Sequence, residues 1–187
     1  MQDHIQARFN ESIQTQVATA DSIGPAIGQA AEKCVHALLG GQSIFVCGDE
    51  SASFISAHFA TLLLYGCELE RPPFPAIHLS HRAAADVESN CYARQVSALG
   101  KAGDILIVFV TKTHDDSIHN AMTAALSRDM SIISISGDDP GDFSGLLGAG
   151  DVEIRIPSTA TSRILEQQLF CARIFSDLIE AKIFGGL

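Results

Sequence analysis

The sequence is short of positive charge. Its 187 residues include 12 Lys and Arg against 22 Asp and Glu, which gives a formal net charge of −10. Nucleic-acid binding depends on Lys and Arg that displace counterions from phosphates, so this balance argues against direct contact with DNA or RNA. If the protein acts near DNA, we expect it to act through another protein.

Long apolar runs and paired cysteine motifs are also missing. The apolar stretches all fall short of the roughly 18 residues that a membrane span needs, and the first residues lack the basic stretch of a signal peptide, so we expect a cytoplasmic protein. The cysteines are odd in number and widely spaced, which predicts buried, reduced thiols rather than a zinc site or disulfides: Cys34, Cys47, Cys67, Cys91 and Cys171. We expect no cofactor.

Apolar residues, by contrast, are plentiful. They make up 47% of the chain, whose mean hydropathy is +0.20. This is high for a soluble monomer and predicts buried contacts between subunits. The length suits a single domain over residues 1–187, with residues 1–40 as N-terminal helices that pack in the oligomer and residues 41–187 as an α/β core.

Five short apolar runs alternate with helical stretches, which predicts an α/β fold with a parallel sheet covered on both faces. Residues 105–110 are continuously apolar, as expected for a central strand without a solvent-facing side. The five predicted strands are Ser43–Cys47, Ala76–Leu79, Ile105–Val110, Ser131–Ile135 and Val152–Ile156.

Helices are predicted at both ends of the chain. Two helices precede the first strand, separated near Pro25, and Gly40-Gly41 ends the second. A long last helix covers about Ser162–Phe184 and is apolar round much of its circumference, so it should be buried between the sheet and another subunit. The first helix carries a narrow stripe that is typical of a seam with a partner subunit: Ile5, Phe9, Ile13 and Val17.

A glycine turn follows the first strand and opens a helix. This is where an α/β protein normally holds a phosphate. The turn, however, carries two carboxylates, Asp49 and Glu50, and the loop after the third strand, Thr111–Asp116, is also acidic. The sequence therefore raises the question of whether this site still binds phosphate.

Short motifs along nearly the whole chain point to one family, and they lie at residues 11–16, 57–60, 70–77, 93–100, 103–104, 145–148, 151–158 and 177–184. By these motifs the chain resembles the sugar isomerase (SIS) domain family, which includes the phosphoheptose isomerases and a DiaA branch that associates with the replication initiator DnaA. Such a resemblance implies a three-layer, flavodoxin-like fold with a five-stranded parallel sheet, assembled as a homotetramer with sites at subunit interfaces. Both ends of the chain are most similar to the DiaA branch.

The phosphate cradle of the isomerases is altered. Their glycine turn, similar to G-N-G-G-S, aligns with Gly48–Ala52, where Glu50 replaces a glycine and Ala52 replaces the serine. Their second phosphate-binding loop, S-T-S-G-N-S, aligns with Val110–Asp115. A carboxylate about 4 Å from a phosphate charge costs roughly 4 kcal/mol at an effective dielectric of about 20, near a thousandfold in affinity. Any residual phosphosugar pocket would consist of Ser51, Ser53, Thr111, Lys112 and Thr113.

The acid and base of the isomerases are replaced as well. The resemblance places their glutamate base at Leu62, their histidine at Arg173 and their substrate-holding glutamine at Leu165. Neither leucine nor arginine exchanges protons at neutral pH. General acid–base catalysis typically contributes roughly 100- to 10,000-fold, so we predict that no residue of this chain is catalytic.

Other sites are less favoured by the sequence. His58 lacks a partner at triad-like spacing, which favours a packing or hydrogen-bonding role over catalysis. The acidic turn Gly137–Asp142 has Ala149 where a calcium loop needs a glutamate, and the Gly48 turn lacks the second glycine of a dinucleotide site. A metal site is conceivable, but solvated loop residues are favoured for His78, His81, His114, His119, Asp86, Asp115 and Asp116.

The C-terminal Phe184 has two interpretations. A large apolar residue so near the chain end either packs within the protein's own assembly or forms a contact for a partner. The resemblance implies the latter, because the DiaA branch contacts DnaA through a hydrophobic pair that stands here as Ile183-Phe184. We therefore hypothesise a non-catalytic tetramer that binds DnaA and promotes its assembly at the replication origin. The alternative is an isomerase of sedoheptulose 7-phosphate, or a protein that binds a carbohydrate derivative, with an altered site.

Overall fold

The computed structural model describes residues 1–66, 70–80 and 89–185. It confirms the predicted α/β fold, with a five-stranded parallel sheet in the order β2-β1-β3-β4-β5. The strands are β1 (Ile44–Gly48), β2 (Ala76–His78), β3 (Ile105–Phe109), β4 (Ser131–Ser136) and β5 (Val152–Arg155). The helices are α1 (Gln2–Leu39), α2 (Ser53–Tyr65), α3 (Cys91–Leu99), α4 (Asp116–Leu126) and α5 (Thr161–Phe184), with a 3₁₀ turn at Gly141–Leu146.

Strand β3 occupies the centre of the sheet, as its unbroken apolar sequence predicts. Every residue of β3 is buried, because its side chains point alternately into two core layers. Ile105, Ile107 and Phe109 face the layer formed with α1, α2 and α5. Leu106 and Val108 face the layer formed with α3 and α4. The predicted three-layer arrangement is thus confirmed.

The two predicted N-terminal helices are in fact one helix, α1, of 38 residues, with Pro25 in its interior. A proline inside a helix removes one hydrogen bond and costs about 3 kcal/mol, which is why the sequence favours a break there. The helix continues because Ile23 and Ile27, on either side of Pro25, are both buried. It ends at Leu39, before the predicted Gly40-Gly41 stop, where Gly41 adopts a φ of 81°.

Four of the five cysteines are confirmed as buried, reduced thiols: Cys34, Cys47, Cys91 and Cys171. Burial raises the pKa of the Cys171 thiol to about 12 and raises those of Cys34 and Cys47 further. These thiols are therefore protonated at physiological pH and behave as small apolar side chains. Cys67 lies outside the described residues.

The single chain leaves one long apolar stripe uncovered. Ile5, Phe9, Ile13 and Val17 recur on one face of α1 and are each at least 50% exposed, and Leu169 and Phe170 of α5 are also exposed. The two helices lie side by side, because their buried apolar residues share one core layer and Ser12 donates to Glu166 at 2.7 Å. The described helices do not include one long and apolar enough to cross a membrane.

Candidate functional site

The loops that follow β1 and β3 meet at the carboxyl edge of the sheet. These strands are direct neighbours, with Gly48 opposite Phe109, so their next residues turn away from the same edge. Asp49 donates its N–H to the carbonyl of Phe109 at 3.0 Å. Position 48 has no room for a side chain, because a Cβ there would lie 2.8 Å from the carbonyl oxygen of Ala52. The edge of the sheet therefore brings together the two loops that the resemblance aligns with a phosphate cradle.

The carboxylate of Asp49 ties these two loops to each other. It is 1% exposed. One oxygen accepts the N–H of Ala52 at 3.0 Å, and the other accepts the N–H of Thr111, the N–H of Lys112 at 3.1 Å and the Thr111 hydroxyl at 2.9 Å. Backbone N–H groups that converge on one point are the donors that bind anions in proteins. Here the anion that they hold is a side chain of the protein itself.

A second carboxylate occupies the N-terminus of α4. Asp115 is the N-cap of this helix, and one of its oxygens accepts the N–H groups of Ser117 and Ile118 at 3.0 and 3.2 Å. A helix N-terminus attracts anions through its free N–H groups and its dipole. Since Asp115 already meets both needs, these two N–H groups are not free to bind a phosphate.

The cation in the loop is shared between carboxylates. The Lys112 ammonium lies 3.8 Å from Glu50 and 3.9 Å from Asp115. Lys112 and Glu50 are both exposed, so each ion pair is weak. Lys112 offsets part of the negative charge of the loop and leaves the edge acidic as a whole.

The structure places the five residues of the predicted phosphosugar pocket as follows. Thr111 and Lys112 are bound to Asp49, as described above. Ser53 begins α2 and donates its hydroxyl to the carbonyl of Glu50 at 2.9 Å, and Thr113 is exposed, with its carbonyl accepting the N–H of Asp142 at 3.1 Å. Ser51 is half-buried in the turn. The hydroxyls of Ser53 and Thr111 and the backbone carbonyl of Thr113 thus bind the protein's own loops.

The side chains at the positions that the resemblance assigns to acid, base and substrate binding make other contacts. Leu62 is buried in α2 and is 4% exposed. Arg173 of α5 is half-buried and pairs with Asp177 one turn later, with its Nε 3.0 Å from a carboxylate oxygen. Leu165 packs partly buried against the core. These positions therefore hold side chains that cannot move a proton at neutral pH.

Two buried polar side chains beside the edge were not recognised from the sequence. Tyr92 donates its hydroxyl to the carbonyl of Gly48 at 3.0 Å. Gln168 donates to the carbonyls of Val110 and Ile135 at 2.9 and 2.8 Å, where β3 and β4 end. Both side chains fix the backbone from which the loops start. Because they come from α3 and α5, only the tertiary structure reveals their role.

Among the described residues, the histidines do not converge with other metal-ligating side chains. His78 contacts the Ser56 hydroxyl at 3.2 Å, and burial lowers the pKa of its ring. His114 lies between Asp142 at 2.9 Å and Asp116 at 3.3 Å, and its hydrogen bond to Asp142 raises its pKa. His58 is exposed on α2 rather than packed in the core.

The conceivable metal site gains no support from the residues that the structure describes. In residues 1–66, 70–80 and 89–185, three or more metal-ligating side chains do not come together. The other two members of the conceivable set, His81 and Asp86, lie outside the described residues.

At the C-terminal end, Phe184 is held in place. Its ring stacks on Phe74, with centroids 5.9 Å apart and planes inclined by 15°, and it stays 45% exposed. The neighbouring Ile183 packs against the core. Gly185 ends α5 in the left-handed conformation and donates its N–H to Ala181 at 2.9 Å. The helix therefore continues up to Phe184. The two predicted partner residues differ, because Ile183 packs against the core whereas Phe184 is partly exposed.

Comparison with known proteins agrees with this fold. The chain is 42% identical to phosphoheptose isomerase from Shewanella baltica (strain OS155) and 41% identical to the DnaA initiator-associating protein DiaA from Escherichia coli O1:K1, each over 98% of this chain and 97% of the relative. The structure of a phosphoheptose isomerase from Francisella tularensis superimposes with a TM-score of 0.90 at 35% identity, over 95% of this chain and 96% of that chain. The model of the SIS domain matches residues 8–137. The chain therefore belongs to the SIS domain family.

Proposed function

We propose that this protein is a non-catalytic, tetrameric regulator that binds a DnaA-type initiator and promotes its assembly at the replication origin. The observation that carries the proposal is the state of the phosphate cradle. The N–H groups of Thr111 and Lys112 donate to Asp49, and those of Ser117 and Ile118 donate to Asp115. A phosphosugar would have to displace two tethered carboxylates and also overcome their charge.

The acid and base positions support the same conclusion. An aldose–ketose isomerase moves a proton between neighbouring carbons and needs a group that titrates near neutral pH. Leu62 has no such group, and Arg173 is a permanent cation paired with Asp177. The chain therefore has the scaffold of the isomerases without the side chains for their reaction.

Assembly supplies the mechanism of the proposed regulator. The exposed stripe of Ile5, Phe9, Ile13 and Val17 is the kind of apolar surface that a second copy of the chain covers. A tetramer presents one C-terminal end per subunit and so holds several initiator molecules together. Linked sites raise the local concentration of a weakly bound partner and can increase overall avidity by roughly 100- to 10,000-fold.

The partner itself is proposed from two observations. A relative that matches nearly the whole chain is named for its association with DnaA, and the residue expected to make that contact, Phe184, is 45% exposed on an ordered helix end. Large aromatic residues at protein surfaces are frequent binding hot spots. The net charge of −10 suits a protein that reaches DNA through a partner.

We expect Phe184→Ala to lower the amount of DnaA recovered in a pull-down at least tenfold, because hot-spot truncation typically costs about 2 kcal/mol or more. Leu99→Ala is the matched control, since Leu99 is a large apolar residue of α3 with a similar exposure of 52%. Analytical ultracentrifugation of each variant verifies the oligomer. Undiminished recovery with Phe184→Ala would remove this contact from the proposal.

The alternative function is binding or isomerisation of a phosphosugar such as sedoheptulose 7-phosphate. Relatives at nearly the same identity are named phosphoheptose isomerase, which supports this alternative. It would use Ser51, Ser53, Thr111, Lys112 and Thr113. A ligand at about 100 times its Kd stabilises a protein by about 2.7 kcal/mol, so binding would be visible as a thermal shift.

A further inference from the structure

The segment before β2 contains a buried ion pair that joins three parts of the fold. The Arg71 guanidinium lies 2.8 Å from the Glu180 carboxylate of α5, and both side chains are at least nine-tenths buried. The same guanidinium donates to the carbonyls of Leu62 and Leu63 at 2.9 and 3.0 Å. Those carbonyls belong to the last turn of α2 and accept a cation readily. Arg71 thus links α2, α5 and the approach to β2.

Phe74 is fixed by this ion pair. The Arg71 guanidinium carbon lies 3.9 Å from the centre of the Phe74 ring, a cation–π contact. The backbone N–H of Phe74 donates to the carbonyl of Leu63 at 3.1 Å. One face of the Phe74 ring is therefore covered by Arg71, while the ring itself is 6% exposed.

Phe184 continues the same stack. It lies four residues after Glu180, so both side chains project from one face of α5 toward the segment 71–74. Glu180 contacts Arg71 and Phe184 stacks on Phe74. The four side chains therefore form one continuous row of contacts. From the interior to the surface it runs through Glu180, Arg71, Phe74 and Phe184.

We propose that Phe74, held by the Arg71–Glu180 ion pair, is a positioning residue that presents the Phe184 ring to the DnaA-type partner. This inference rests on the proposed function. An aromatic ring that is already fixed loses little conformational freedom when a partner binds, so preorganisation raises affinity without adding a contact. The partner surface must then offer an apolar pocket for the exposed part of this ring.

The chain contains no tryptophan, so Phe184→Trp provides a fluorescent reporter at this position alone. We expect the indole to stack on Phe74, with high fluorescence anisotropy and quenching by acrylamide well below that of a free indole. Adding Phe74→Leu should lower the anisotropy and raise the quenching. Phe143→Leu is the matched control, because Phe143 is a buried phenylalanine of the opposite core layer.

Affinity for DnaA is then measured with Phe184 intact. An offset-stacked pair typically contributes enough for a two- to tenfold change in affinity. We expect Phe74→Leu to weaken DnaA binding by this factor, with Phe143→Leu unchanged.

Two results would overturn this inference by itself. One is unchanged binding with Phe74→Leu while Phe184→Ala abolishes it, which removes the positioning role and leaves the proposed function intact. The other is that acrylamide quenches the indole of Phe184→Trp, in the otherwise unaltered chain, as fast as it quenches a free indole. This measurement tests whether the ring at position 184 is fixed even if Phe74→Leu does not fold. Unchanged DnaA binding with Phe184→Ala would instead contradict both the proposed contact of Phe184 with the partner and the positioning of Phe184 by Phe74.

Discussion

Replacing Asp49 with alanine should lower the free energy of unfolding by about 3 to 5 kcal/mol. The carboxylate is buried and accepts N–H groups from Ala52, Thr111 and Lys112, as well as the Thr111 hydroxyl. Each buried donor left without an acceptor costs roughly 1 to 3 kcal/mol. The total is smaller than the sum because the two loops relax and water enters the gap.

Asp116→Ala is the control for this change. It removes the same charge from the start of α4 nearby, but Asp116 is exposed and pairs with His114 across 3.3 Å at the surface. Surface pairs of this kind contribute little to stability, because water and salt screen them. Thermal denaturation at a fixed protein concentration measures both variants. Equal stability of Asp49→Ala and Asp116→Ala would show that Asp49 does not hold the loops together.

Small anions should partly rescue the Asp49→Ala variant. The N–H groups of Thr111 and Lys112 still point at the vacated position, which then has the chemistry of an anion site. We expect formate or phosphate at tens of millimolar to raise the melting temperature of Asp49→Ala, while the wild type does not respond.

The second large effect is the absence of isomerase turnover. We expect kcat/KM for sedoheptulose 7-phosphate to lie at least about 100,000-fold below that of an active isomerase. General acid–base catalysis accounts for roughly 100-fold or more of this difference. Repulsion between the cradle carboxylates and the phosphate accounts for about a further thousandfold.

Restoring the acid and base alone should not restore turnover. The double variant Leu62→Glu/Arg173→His supplies both titratable groups, but Asp49 and Asp115 still occupy the N–H donors of the cradle. The Shewanella baltica phosphoheptose isomerase serves as the positive control in the same assay. Measurable turnover by the wild type, or by this double variant, would contradict the account.

The sheet and its central strand are predictable from the sequence, because short apolar runs of four to six residues indicate buried strands. The runs at 105–110 and 131–135 correspond to β3 and β4 within one residue at each end. The N-terminal region was predicted wrongly, because the cost of Pro25 is local whereas the burial of Ile23 and Ile27 that outweighs it is tertiary.

The acidic cradle was predictable in its charge and not in its geometry. From the sequence, Asp49 is a carboxylate that repels phosphate. Only the order of the strands, with β1 beside β3, shows that it binds Thr111, 62 residues later. The N-cap role of Asp115, by contrast, has a sequence signal, since aspartate before an apolar-periodic segment commonly begins a helix.

The C-terminal cluster is the least predictable part of the protein. Phe184 stands out in the sequence as a large apolar residue close to the C-terminus, where chains tend to fray. Its support comes from Phe74 and from an ion pair between residues 109 positions apart, Arg71 and Glu180. Contacts at this separation leave no periodic pattern in the sequence.

Calorimetric titration of sedoheptulose 7-phosphate into the wild-type protein tests the central claim most directly, with the Francisella tularensis isomerase as the positive control. If the carboxylates of Asp49 and Asp115 fill the phosphate cradle, the titration will show no saturable heat at millimolar ligand. Saturable binding of one ligand per subunit with a Kd below about 1 mM, equivalent to about −4.1 kcal/mol, would contradict it.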